Sequence, residues 1–219
     1  MQEKSTASDA PSAETLKHSY TLGADPGFAN GAICLLSRNL KNIVFFDVKD
    51  DTLNDLSDFF SLWSLQVERA VLEKVNASPM MGVVSAFNFG RGYGWVEALL
   101  TNYRISYECV TPQKWLTVVG NRPLKEALPY DGSQKERDKI RRHNKKEGKQ
   151  ATFDWAKKKF PTAELRSLSK DSNRADALGI AYWGWQEYNK FGGRGGNTIK
   201  EKDTGSEPYE LVDSSPAEE

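Results

Sequence analysis

The chain has 219 residues, 38% of them hydrophobic, with 30 Lys+Arg balancing 30 Asp+Glu and a mean hydropathy of −0.62. That bounds it to one core with polar appendages. No apolar run approaches the roughly 18–20 residues of a membrane span, and the N-terminus lacks a basic-then-apolar leader, so the expectation is a cytoplasmic, non-secreted protein.

The zero net charge hides two opposed clusters. Gln134 to Gln150 carries eight Lys/Arg against three Asp/Glu, whereas Lys200 to Glu219 carries two against seven. Local charge, not the total, bears on nucleic-acid binding here.

Residues 1–17 are polar and aperiodic and read as a disordered tail. Strands follow at Ser19–Ala24, Gly31–Ser37 and Asn42–Val48, linked by short turns as an antiparallel meander. Asp55–Gln66 has apolar residues at helical spacing. Arg69–Val75 is a nearly continuous apolar run, as expected of a strand buried on both faces. Small residues and Met fill Asn76–Asn88, and Gly82 to Leu100 reads as a helix, either core or dimer interface. The glycines of Phe89-Gly90-Arg91-Gly92-Tyr93-Gly94 do not follow a strand in the phosphate-binding spacing. A strand at Ile105–Val110 leads into Thr111-Pro112, a helix start with Thr as N-cap and Pro at the first helical position. A polar insertion, 120–148, ends in the basic run. Lys149–Phe160 reads as an amphipathic helix stopped by Pro161, and Asn173–Tyr188 as the last helix, before a disordered acidic tail at 191–219. The folded domain is therefore expected over 18–190. Cys34 and Cys109 both fall in predicted buried strands and read as inert thiols.

Three hairpin-linked strands, then alternating helix and strand, then C-terminal helices is the order of the ribonuclease H-like fold: α/β, a mixed five-stranded sheet with helices on both faces. In that order the first and fourth strands are parallel neighbours. Asp25, at the tip of the first, and Glu73, at the edge of the fourth, would share one end of the sheet. The last helix would cross that end and add Asp176, whose neighbours Ala175, Ala177 and Leu178 argue for burial.

Clustered carboxylates cannot all ionise without a cation. Few Cys and His leave oxygen as the donor, which points to Mg2+, with Mn2+ able to substitute. Two such ions about 4 Å apart orient a water and stabilise the leaving oxygen of a phosphodiester displacement. Asp25 would bridge, with Glu73 and Asp176 on either side. Asn173, one turn before Asp176, shares its face as a weak ligand or hydrogen-bond partner. Asp171 would be a fourth carboxylate only if its loop curls inward.

At these residues the sequence resembles the RuvC-like Holliday junction resolvases, particularly phage-encoded forms. The resemblance rests on Gly23-Ala24-Asp25-Pro26-Gly27 with Gly31-Ala32, and on Leu72-Glu73-Lys74-Val75 with Phe87 to Gly94. Thr111-Pro112-Gln113-Lys114-Trp115 and Ala175-Asp176-Ala177-Leu178-Gly179-Ile180-Ala181 complete it, in the family's order, over about Tyr20 to Tyr188. It implies a homodimeric, magnesium-dependent endonuclease that nicks two opposing strands of a four-way DNA junction, in recombination and repair. It implies metal roles for Asp25, Glu73 and Asp176, and places Lys114 and Lys149 near the scissile phosphate. Two departures stand out. Asn173 occupies the position of the usual fourth acid or His, and the 120–148 insertion is longer than in the bacterial enzymes.

Beside such a site the basic run (Lys135, Arg137, Lys139, Arg141, Arg142, Lys145, Lys146, Lys149), with Arg91, reads as a phosphate-binding surface, giving affinity without sequence reading. Met80 and Met81 follow Glu73 closely, either as a wedge between bases or as core. The alternatives are a catalytically idle branched-DNA-binding protein, or another ribonuclease H-like nuclease or integrase. Sugar kinases and actin-like ATPases need two such domains and a longer chain.

Overall fold

The computed structural model describes residues 19–27, 30–49, 53–74, 82–120, 125–129 and 132–190. The expected disordered tails, and Met80 and Met81, lie outside them.

Five strands form one sheet: β1 (Tyr20–Asp25), β2 (Gly31–Ser37), β3 (Ile43–Val48), β4 (Val67–Glu73) and β5 (Tyr107–Val110), in the order β3-β2-β1-β4-β5. The β1–β2 and β2–β3 pairs are antiparallel, and β1–β4 and β4–β5 are parallel. The helices are α1 (Leu53–Trp63), α2 (Val83–Asn102), α3 (Pro112–Trp115), α4 (Gln134–Lys159) and α5 (Leu168–Lys190). The mixed five-stranded α/β sheet expected from the sequence is the one observed.

The strands read as unbroken apolar runs because both faces are covered. Side chains alternate across a strand. On β2, Ile33 and Leu35 join Leu56 and Phe60 of α1 and Val96 and Leu100 of α2 in one core. Ala32, Cys34 and Leu36 face the other way, into a core with α4 and α5. On β4, Ala70 and Leu72 belong to the first core, and Val71 packs with Ile180 and Trp183 of α5 on the second side.

This alternation decides where the strand-end acids face. Gly23 faces α5, because a Cβ there would lie 2.3 Å from the Ala181 backbone nitrogen. Only glycine lets the helix rest directly on β1. Asp25, two residues on, shares that face, and Glu73 shares the face of Val71.

The helix expected at Lys149–Phe160 is the second half of a longer one. α4 starts at Gln134, where Ser133 and Glu136 form a capping box: Glu136 N donates to Ser133 Oγ (3.3 Å) and Ser133 N donates to Glu136 Oε2 (2.8 Å). The later half of the supposed insertion is therefore helix. Pro161 ends it, forcing Phe160 out of helical backbone (φ −130, ψ 74). Cys109 is a second correction. It is exposed, on the edge strand β5, and its Sγ lies 3.3 Å from the Tyr93 hydroxyl.

Candidate active site

The β1–β4 register pairs Ala24 with Leu72, so the next residues along the two parallel strands are Asp25 and Glu73. α5 crosses this end of the sheet and brings Asp176, which is 7% exposed. All three line one cavity of about 760 Å3, together with Asn30, Pro112, Trp115, Asn173 and a stretch of α4.

α4 contributes through one continuous face. Thr152, Phe153 and Ala156 are buried, and Phe153 and Ala156 share a core with α5. Continuing towards the N-terminus at helical spacing, the same face presents Lys149, then Lys145 and Arg141, all lining the cavity. The Lys149 ammonium donates to Asp176 Oδ2 and, at 3.0 Å, to Asn173 Oδ1. Asn173 Nδ2 donates to the Asn30 carbonyl, tying α5 to the hairpin after Asp25.

The three acids are crowded against one another at one end of this cavity. Burial raises the Asp25 carboxyl well above the usual range, and the charges of Asp176 and Glu73 raise it further, with Lys149 and Lys145 opposing. Burial also raises Glu73, opposed by a hydrogen bond from the Trp115 indole (Nε1 to Oε1, 2.7 Å). Burial alone would lower Lys149, but the three carboxylates outweigh it and hold the ammonium charged. Lys149 thus feels the charge of all three acids.

Among the described residues no three His, Cys, Asp or Glu side chains are placed to hold one ion. The chemistry of the donors nonetheless fits a hard divalent cation: all are oxygens, they repel one another, and no described residue donates a hydrogen bond to the Asp25 carboxylate.

The other sequence candidates separate. Asp171 is not a fourth carboxylate of the site. It is fully buried in the first turn of α5, where its Oδ2 accepts from the Arg166 and Ser167 backbone N–H groups (2.6 and 3.1 Å) and its Oδ1 from Arg166 Nη2 (3.1 Å). Burial works to raise its pKa, but these donors win and lower it. Lys114 is exposed, with Nζ 5.0 Å from the Trp183 ring centre, and Arg91 is exposed on α2 over Trp95. Neither lines the cavity, and nor do Lys135, Arg137, Arg142 or Lys146. Lys139 faces a smaller cavity with Glu126, Pro129, Glu136, Ile140 and His143.

Two side chains that sequence reasoning passed over shape the site. Trp115 directly follows Lys114 in the Thr111-to-Trp115 motif. Arg174, two residues before Asp176, grips Asp47 of β3 with two bonds of 2.7 Å.

No protein-family model matches the sequence, and no curated protein matches it. Among solved structures the chain is similar to Thermus thermophilus RuvC in complex with a Holliday junction substrate, at 12% identity and a TM-score of 0.53, over 80% of this chain and 97% of that one. Also similar are a second Thermus thermophilus RuvC structure (13% identity, TM-score 0.48, 79% and 96% covered) and the fowlpox virus resolvase with its Holliday junction DNA (12%, 0.44, 77% and 97%). At such identity the likeness establishes the fold alone, and the first of the three carries it: this chain has the α/β fold of that structure, a mixed five-stranded sheet with helices on both faces.

Proposed function

We propose that the protein is a metal-dependent endonuclease that resolves four-way DNA junctions, nicking two opposing strands as a homodimer. The observation that carries this reading is the convergence of Asp25, Glu73 and Asp176 on one cavity beside a charged lysine, in a chain with the RuvC fold.

Asp25, Glu73 and Asp176 would hold Mg2+ or Mn2+, with Asn173 beside them as a further oxygen donor. When bound, the metal supplies charge neutralisation and activation of the attacking water. Asp25 lines the cavity with a carboxylate to which no described residue donates a hydrogen bond. Asn173, bonded to both Lys149 and Asn30, holds the α5 side of the site in register with the hairpin. Lys149 places a permanent positive charge where a phosphate oxygen would develop negative charge. Lys145 and Arg141 extend that charge along α4, so a strand whose phosphates follow this face reaches the carboxylates at its end.

The outer face of α2 supports the dimer. Val83, Val84 and Phe87 are 86%, 73% and 66% exposed, next to Gly90 and Gly94, which have open space above them. An apolar, closely approachable helix face suits a two-fold contact with a second copy.

Glu73→Gln tests the reading against the idle-binder alternative. A nuclease variant binds labelled four-way junctions as the wild type does but loses cleavage in Mg2+. Wild-type and variant proteins that bind alike and cut nothing would replace the nuclease with a binding module.

A further inference from the structure

The proposed site leaves one buried polar contact without a role, and it lies between two of the elements that build the site. Trp115 is 3% exposed and packs with Val71, Val110, Ile180 and Trp183. A buried indole N–H needs an acceptor. This one has Glu73 Oε1, at 2.7 Å.

Local structure leads directly to the contact. Glu73 pairs with Val110 across the β4–β5 ladder. Thr111 ends the strand, Pro112 starts the single turn of α3, and that turn carries Trp115 back over the end of β4. On its other side the ring rests on α5 at Gly179, one turn beyond Asp176. A Cβ on Gly179 would lie 2.8 Å from Trp115 Cζ3. The indole is thus wedged between the helix that carries Asp176 and the carboxylate of Glu73. Among the described residues, no donor reaches the second oxygen of Glu73, Oε2.

We infer that Trp115 is a positioning residue for metal binding: it holds Glu73 in one orientation, gauged against α5, so that one carboxylate oxygen is committed to the indole and the other is reserved for the cation. The inference rests on the metal-dependent reading above. It adds that a neutral, non-ligating side chain sets the affinity of the site. A ligand carboxylate freed of its hydrogen-bond partner loses orientation, and partners of this kind are worth about 10- to 100-fold in metal affinity or activity.

The experiment is Mn2+ titration of the full chain by calorimetry, without DNA, for wild type, Trp115→Phe, Gly179→Ala and Trp183→Phe. Junction binding in EDTA is measured alongside. Trp115→Phe keeps the ring and removes the donor. Gly179→Ala keeps the donor and pushes the ring, which covers the case in which Trp115→Phe does not fold. Trp183→Phe loses an indole from the same core without touching Glu73. The expected result is Mn2+ binding weakened about 10- to 100-fold in Trp115→Phe, weakened in Gly179→Ala and unchanged in Trp183→Phe, with junction binding in EDTA unchanged throughout. Wild-type Mn2+ affinity in Trp115→Phe, or an equal loss in Trp183→Phe, overturns the assignment to Trp115 alone. A wild-type chain that binds no Mn2+ overturns the metal-dependent reading together with it.

Discussion

Arg174 closes a two-pronged ion pair on Asp47, Nε to Oδ1 and Nη2 to Oδ2, each 2.7 Å. The pair joins α5 to β3 at the edge of the sheet, two residues before Asp176. Planar, bidentate pairing fixes orientation as well as distance, so it braces α5 against β3 close to Asp176. Asp47→Asn removes one charge and breaks the fork. Asp47 is 39% exposed, so solvent screens the pair; the expected cost is about 1 kcal/mol, or roughly 2–4 °C in melting temperature. The expected loss in cleavage is larger, about tenfold or more, because small misplacements of catalytic groups are costly. Melting curves and cleavage rates on the same variant check the two effects together. Equal activity in Asp47→Asn would show that the pair only braces the fold.

The second prediction separates position from charge on α4. Arg141 and Lys145 line the cavity, whereas Lys135 does not and Lys139 faces the smaller cavity. Arg141 also pairs with Asp138 at 3.2 Å, an exposed contact of little energetic weight. Replacing Arg141 and Lys145 with Gln is expected to lower cleavage and to reduce the salt dependence of junction binding by about two phosphate contacts. Replacing Lys135 and Lys139 removes the same charge and is expected to change both much less. Binding titrations over a salt series measure this, and equal slopes for the two variants would mean that only net charge matters.

The third concerns pH. Burial, with the neighbouring Asp176 and Glu73 charges, raises Asp25, and burial also raises Glu73. An acid raised on folding takes a proton more readily in the folded state. Its contribution to stability is therefore complete below the ordinary carboxylate range, near about pH 4, and is lost as pH rises through the raised values. In EDTA the melting temperature of the wild type is expected to fall across that interval. Asp25→Asn is expected to melt higher than wild type at neutral pH and to show a shallower decline. Calorimetry over a pH series from about pH 4 upward decides it, and superimposable pH profiles for the two proteins would contradict the proposed crowding of charge.

The fourth addresses assembly. Phe87, 66% exposed on α2, is expected to lie in the two-fold contact. Phe87→Glu is expected to shift sedimentation velocity from dimer to monomer and to uncouple the paired nicks. An unchanged dimer would move the interface elsewhere.

Much of this arrangement was legible in the sequence, because strand alternation and the three acids are local signals. Ile33 against Cys34, or Leu72 against Val71, read as one apolar run because each face meets its own helices. What was not legible depends on long-range partners. Nothing near Arg174 points to Asp47, 127 residues earlier. Nothing in Thr111 to Trp115 shows that the tryptophan, rather than Lys114, turns inward. The exposure of Cys109 depends on β5 lying at the sheet edge, which is a topological property and not a local one. The start of α4 is a different case. Ser133-Gln134-Lys135-Glu136 is a capping box readable from sequence alone, but the polar, basic stretch after it lacks the apolar periodicity by which helices are usually found.

The central claim is that Asp25, Glu73 and Asp176 form a working metal-dependent nuclease site. Its most direct test is cleavage of an end-labelled four-way DNA junction in Mg2+, comparing wild type with Asp25→Asn. Paired, symmetric nicks by the wild type that vanish in the variant, with junction binding retained, are the predicted result. Junction binding without cleavage by the wild type, in Mg2+ and Mn2+ alike, would contradict it.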